Sequence, residues 1–244
     1  MSCNIDEVIR SYICKHKWIL DVGSGSGSFI KRLLNICNSH IYVIGIDIDE
    51  DRLRKAKTII SDHLVDLITC DASNLSVRSE SIDIVTLFLT LHEIEENLVD
   101  NVLSEIRRVM RVNGILFFVD KFLFNSSSPN EKLTLLTEEA YHKALEYVEG
   151  VKLWGLRNPD EYINKLKFHG FMLVLNCIAQ GKYIDGKTFI NSWGRDTMRL
   201  LRLIKDDQKK EKLNELINRI RVMGSKYGYG PAKLLVAILC KLVK

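Results

Sequence analysis

No apolar run in this 244-residue chain approaches the ~20 residues a bilayer-spanning helix needs; the longest run near the C-terminus, Leu234 to Cys240, falls far short. The opening stretch mixes charges of both signs and lacks a continuous apolar core, so no signal peptide is expected. The six cysteines (Cys3, Cys14, Cys37, Cys70, Cys177 and Cys240) include no CxxC or other ligand-like spacing. That argues against zinc and predicts reduced thiols in a cytoplasmic protein. Internal repeats and low-complexity tracts are also absent. What remains is 46% hydrophobic and 27% charged, a composition that excludes disorder and suits one globular domain with a full core and room for an appendage.

The net charge of +4 is unevenly distributed. From Gly194 to Lys244 there are 13 Lys/Arg against 5 Asp/Glu, so the surplus of basic charge sits in the tail and the preceding residues are net acidic. This predicts a core domain over residues 1–193 and a basic helical extension over 194–244.

Strand-like runs at KWILDV, IYVIGID, DLITCD, SIDIVTLFL and GILFFVD alternate with segments whose apolar residues lie three and four apart. The alternation predicts parallel β/α units with helices on both faces of the sheet. Leu98, Val99, Val102, Leu103, Ile106, Val109 and Met110 form one helical stripe, and Asn113-Gly114 turns the chain into the fifth strand. A helix is predicted from Glu131 to Val148, stopped by Gly150, and another over PDEYINKLKFHG. Two more strands are predicted at FMLVLNCIA and KTFINSW, and helices thereafter, including a short apolar helix at AKLLVAILCKLVK. The fold class is therefore α/β: a Rossmann-like, doubly wound, seven-stranded, mostly parallel sheet with a helical C-terminal extension.

Chemistry concentrates at ILDVGSGSGSFI, where Gly23, Gly25 and Gly27 follow the first strand. A glycine-rich turn before a helix presents backbone N–H groups to a ligand, and glycine lets the ligand approach the main chain. The dinucleotide pattern GxGxxG is not met, because Ser28 stands where its third glycine belongs. Asp21 lies two residues before the first glycine, Asp47 ends the second strand 20 residues beyond Gly27, and Asp71 ends the third strand in ITCDAS. Asp47 has the spacing of a ribose-binding carboxylate. Asp49 precedes EDRLRKAK as that helix's N-cap. Asp71 and the Ala72 N–H suit an adenine edge.

These residues resemble the class I S-adenosylmethionine-dependent methyltransferases. The resemblance covers Trp18 to Asp120 and continues more loosely to Trp193. It is carried by LDVGSGSG, VIGIDID, CDASNL, IDIVTLFLTLHEI and RRVMRVNGILFFVD. The last two are similar to elements of the ubiquinone/menaquinone C-methyltransferase-like branch, with Val112-Asn113 replacing the usual Pro-Gly. The resemblance implies S-adenosyl-L-methionine as cofactor. Gly23, Ser24, Gly25 and Gly27 would pass under its methionine portion, with Asp21 near the amino group. Asp47 would lie at the ribose, Asp71 and Ala72 at the adenine, and Ile48 and Phe88 against the cofactor.

Methyl transfer from a sulfonium is an in-line displacement, in which alignment and water exclusion matter most. His92, after the fourth strand, is the candidate general base, and Glu93 is a second candidate; the alternatives are a structural histidine and a first-turn helix acid. No metal is expected. The Pro-Cys element of cytosine-5 methyltransferases and the (N/D)PP(Y/F) loop of amino-adenine methyltransferases are both missing, which favours a small-molecule acceptor; the alternative is RNA or a protein, engaged through the basic extension. Tyr141, His142, Tyr147 and Trp154 are candidate pocket residues. The basic tail leaves three readings open: packing on the core or a dimer contact, RNA gripped through phosphates and stacking, or a final helix lying on a membrane surface. A nucleotide-binding module without methyl transfer is the rival from another class.

Overall fold

The computed structural model describes residues 2–38, 41–60 and 64–242. Seven strands form one sheet: β1 (Trp18–Val22), β2 (Tyr42–Asp47), β3 (Val65–Thr69), β4 (Ile82–Phe88), β5 (Met110–Lys121), β6 (Phe171–Gln180) and β7 (Lys233–Lys241). Their order is β3-β2-β1-β4-β5-β7-β6, and only β7 runs antiparallel to its neighbours. The chain leaves β1 toward β2 on one side and later starts β4 on the other, so the switch point lies at the C-terminal end of β1. In open α/β sheets that is where ligands bind.

Helices cover both faces. On one, α1 (Ile5–Tyr12) and α2 (Ser28–Cys37) bury Ile9, Phe29, Ile30 and Leu33 against Ile19, Ile84, Phe117 and Ile238. On the other, α4 (Val99–Val109) and α6 (Pro159–Phe168) bury Val102, Leu103, Ile106 and Tyr162 against Leu20, Val85, Phe118 and Leu239. The α6 start is fixed by reciprocal bonds between Asn158 and Glu161, a capping box. The predicted Asn113-Gly114 turn occurs as a bulge inside β5, between the Ile82↔Met110 and Ile84↔Ile115 pairs.

A third core joins α5 (Pro129–Glu149) to α7 (Gly186–Ser192), α8 (Arg195–Leu203) and α9 (Asp207–Tyr227) through Leu133, Leu136, Ala140, Phe189, Leu200, Leu213, Ile217 and Ile220. Ser128 caps α5, Pro129 sits in its first turn, and Gly150 ends it in the left-handed conformation, as the sequence predicts.

Three expectations are corrected. KTFINSW is helical: Asp185 caps α7 by accepting the Thr188 N–H at 3.0 Å, and Phe189 is its one buried side chain. The apolar run in AKLLVAILCKLVK is β7 over its described part, a central strand buried on both faces, so it shows no alternation; Val243 and Lys244 lie outside the described residues. Finally, four of the six cysteines are not reduced thiols: Cys3 pairs with Cys177 on β6, and Cys14 after α1 pairs with Cys37 at the end of α2. Among the described residues, no helix is long and apolar enough to cross a membrane.

Candidate active site

The glycine loop joins β1 to α2 at the switch point. Gly23, Gly25 and Gly27 all take positive φ, at 74°, 52° and 77°, which side chains other than glycine tolerate poorly. Their surroundings differ. A Cβ on Gly23 would fall 2.4 Å from the Thr90 side chain, and one on Gly27 2.5 Å from Ile60. Around Gly25 the space is open, with the Asp47 carboxylate alone approaching to 4.0 Å. The loop thus packs at its two ends and is bare in its middle.

Three carboxylates stand at the ends of three adjacent strands. Asp47 Oδ2 accepts the Gly25 N–H at 2.7 Å and Oδ1 accepts the Asp49 N–H at 2.9 Å. Asp49 itself accepts the Arg52 N–H at 3.0 Å, confirming it as the cap of α3 (Glu50–Ile59). Asp71, just past β3, accepts the Ser73 N–H at 2.7 Å and is exposed, with Ala72 beside it. Ile48 is 73% exposed next to Asp47, an apolar side chain open to a ligand.

Asp21 is buried, and one oxygen accepts the Thr86 hydroxyl at 2.5 Å while Oδ2 has no hydrogen-bond partner. Burial pushes its carboxyl up from 3.8 to about 7; the Thr86 hydrogen bond opposes that shift and the Asp47 charge adds to it. Ser24 Oγ is likewise buried without a partner. Phe88 is half-buried and stacks on Phe29 with ring centroids 4.1 Å apart, so at least one of its faces belongs to the core under α2.

After β4, Leu89 takes a positive φ and Thr90 bonds back to the Val22 and Phe88 carbonyls at 3.1 and 3.2 Å. A single 3-10 turn, Leu91–Glu93, follows. Asp120 at the end of β5 anchors it: its Oδ2 accepts the His92 N–H at 3.2 Å, its Oδ1 accepts the Lys121 N–H at 2.8 Å, and its carboxylate pairs with His92 Nδ1. His92 has no accessible surface. Burial pulls its pKa down, but Asp120 outweighs that and the net shift is upward. Its Nε2 lies 3.7 Å from both Glu93 Oε1 and Glu138 Oε2. The expected general base therefore sits sealed beneath α5, and Glu93, with 31% of its side chain exposed, is the open member of the pair.

From α5, Glu138 binds Lys121 Nζ at 2.7 Å, and burial pushes the pKa of His142 down to about 4, with the His92 charge helping. Tyr141 accepts from Arg52 of α3 at 3.2 Å, carrying α5 across the crevice. Tyr147 packs in the helical cap with Lys209 over its ring. Trp154 donates its backbone N–H to the Ile94 carbonyl at 2.7 Å, next to the His92 turn, and carries Arg157 and Lys165 over its ring. Thr86, Thr90 and Glu138 were not foreseen; Glu138 and His142, four apart on one helix, carried the detectable spacing.

Residues 20–118 match the methyltransferase domain family. Over that span the chain is similar to methyltransferases. The likeness implies S-adenosylmethionine as cofactor, and the residues fit it: an open glycine, orphaned polar atoms on Asp21 and Ser24, and acids at three neighbouring strand ends. Mouse arsenite methyltransferase is 30% identical over 117 residues, which is 43% of this chain and 30% of that protein, so the chain spans less than a third of that relative's length. Solved structures of like fold include a candidate methyltransferase from Bacillus halodurans (18% identity, TM-score 0.64, 98% of this chain and 99% of that one). A methyltransferase from Methanosarcina mazei has 18% identity and TM-score 0.61, with both chains fully covered. The [4+2]-cyclase SpnF has 16% identity and TM-score 0.62, over 98% of this chain and 80% of its own. That a cyclase shares the fold shows that the acceptor chemistry must be argued from the site.

Proposed function

We propose that the domain transfers a methyl group from S-adenosylmethionine to a small-molecule acceptor held between the strand ends and α5. The observation that carries this reading is the bare middle of the glycine loop beside the Asp47–Gly25 bond, with Asp21 Oδ2 and Ser24 Oγ unpaired behind it. When bound, the cofactor supplies an electrophilic methyl on a sulfonium. Asp21 and Ser24 would hold the polar end of its methionine portion, with Gly23, Gly25 and Gly27 beneath. Asp47 would hold the ribose, and Ile48, Asp71 and Ala72 the adenine, with Phe88 flanking the crevice. Glu93 is the proposed proton acceptor, with His92 behind it and fixed by Asp120. Helix α5, tied to α3 by Tyr141 and Arg52, would exclude water and orient the acceptor.

A small acceptor is favoured over RNA because the chain's own acids engage part of the basic tail. Lys233 pairs with Glu131 at 2.9 Å, and Lys241, only 7% exposed, donates to the Met110 carbonyl at 2.7 Å and pairs with Glu80 at 3.2 Å. The membrane reading loses its support, since its helix is β7. Incubation with S-adenosylmethionine and parallel pools of small metabolites and RNA tests the proposal. Formation of S-adenosylhomocysteine with the metabolite pool is expected. Product with RNA alone contradicts the acceptor class, and binding without any turnover favours a non-catalytic nucleotide-binding module.

A further inference from the structure

We propose that His92, Glu138 and His142 form a binding site for one divalent transition-metal ion of the zinc type. One candidate donor atom from each of the three lies within 4.8 Å of the other two, and all three residues are buried, at 0%, 9% and 8% exposure. The fold assembles them from two elements: His92 on the turn after β4, and Glu138 and His142 one helical turn apart on α5. Sequence spacing alone offers only the Glu138/His142 pair, four apart on one helix, because His92 comes from a separate element.

Two further observations point to a missing ligand rather than to a self-sufficient cluster. Nε2 of His92 and Nε2 of His142 are both buried without a hydrogen-bond partner among the described residues, and a buried polar atom left unpaired loses its hydration with nothing in return. A cation supplies what both lone pairs lack. In addition, Asp120 holds Nδ1 of His92, the outer carboxylate that orients a metal-ligating imidazole and leaves Nε2 as its donor.

Lys121 takes Glu138 Oε1, and the charge of Glu93 is shared between Lys121 and the Arg52 guanidinium. Glu138 Oε2, 3.7 Å from His92 Nε2, remains as the oxygen ligand. Two imidazoles and one carboxylate are a borderline donor set that suits zinc or cobalt rather than magnesium or calcium. Three protein ligands would leave a fourth position, and Glu93 Oε1 lies 3.7 Å from His92 Nε2. The inference stands on these contacts and does not depend on methyl transfer.

The test is titration of the chelator-treated 244-residue chain with Co2+, read by visible absorption and equilibrium dialysis, beside titration with S-adenosylhomocysteine. One Co2+ per chain with tetrahedral-type bands is expected, displaced by Zn2+. Asp120→Asn should weaken binding roughly 10- to 100-fold, and His142→Ala should abolish the bands. Cys70→Ser, which removes a free thiol outside the cluster, should change nothing. If His142→Ala fails to fold by circular dichroism, His142→Gln replaces it. Failure of folded protein to bind Co2+ or Zn2+ while still binding S-adenosylhomocysteine overturns the site and spares the methyltransferase reading. Metal binding that persists unchanged in the His142 and Asp120 variants also overturns it, by placing the ion elsewhere.

Discussion

The Asp47 carboxylate closes on the glycine loop: Oδ2 takes the Gly25 N–H at 2.7 Å while Oδ1 takes the Asp49 N–H at 2.9 Å. One acid thus fixes both the bare middle of the loop and the start of α3. A carboxylate has about four acceptor positions, so two remain for a ligand's hydroxyls.

Gly23 and Gly25 should separate stability from binding. Gly25→Ala places a methyl in open space at φ 52°, costing about 1–2 kcal/mol of stability while blocking the cofactor. Gly23→Ala adds a collision with Thr90, whose hydroxyl is tied to two carbonyls, and should unfold at clearly lower temperature than Gly25→Ala. Thermal melts with and without S-adenosylhomocysteine check both; a ligand-induced shift retained in Gly25→Ala would show that the loop is not the cradle.

Asp21 should make cofactor affinity pH-dependent. Its native pKa is about 7 against an ordinary 3.8, and the facing groups are Thr86 on β4 and the Asp47 charge beside β1. Between those values the folded state holds a proton that the unfolded state has lost. Its contribution to stability is therefore full below about pH 4 and is lost as pH rises through about 7, by up to ~4 kcal/mol. Ligand binding runs the other way, since a cationic amino group favours the ionised carboxylate. Affinity for S-adenosylhomocysteine should rise about tenfold from pH 6 to pH 8, and Asp21→Asn should be weaker and flat. An equal slope in the variant would remove Asp21 from the site.

The disulfides predict a thiol count. Denatured without reductant, the chain should react with a thiol reagent at Cys70 and Cys240 only, and at all six cysteines after reduction. Replacing Cys14 by Ser should cost ~3 kcal/mol of stability, the scale for closing a loop of that length. Six reactive thiols before reduction would contradict both pairs.

Strand β7 makes the tail part of the sheet. Ala237→Pro, between Phe118 on β5 and Asn176 on β6, removes a ladder donor in a central strand and should leave the protein insoluble or unfolded by circular dichroism. A folded, soluble variant would place residues 233–241 outside the core.

The fold was legible where periodicity was strong. The α4 stripe, α5 with its terminal Gly150, and the four strands from Trp18 to Phe88 lie where the pattern puts them, while β5 starts at Met110, before the Asn113-Gly114 turn predicted to open it. The loss of alternation in a strand buried on both faces hid β7, and Thr, Phe and Ile gave α7 a strand-like composition although Asp185 was there to cap a helix. The cysteine pairs are separated by 174 and 23 residues, contacts that spacing cannot reveal. The glycine loop and its three acids were readable because each acid stands at the C-terminal end of its own strand in successive β/α units. The setting of His92 was not, since Asp120, Glu138 and His142 reach it from β5 and α5.

Calorimetric titration of the full chain with S-adenosylhomocysteine, alongside Asp47→Ala, tests the central claim most directly. One site per chain is predicted, weakened roughly 10- to 100-fold in the variant through loss of charged hydrogen bonds. No binding by the native chain, or equal affinity in both proteins, would contradict it.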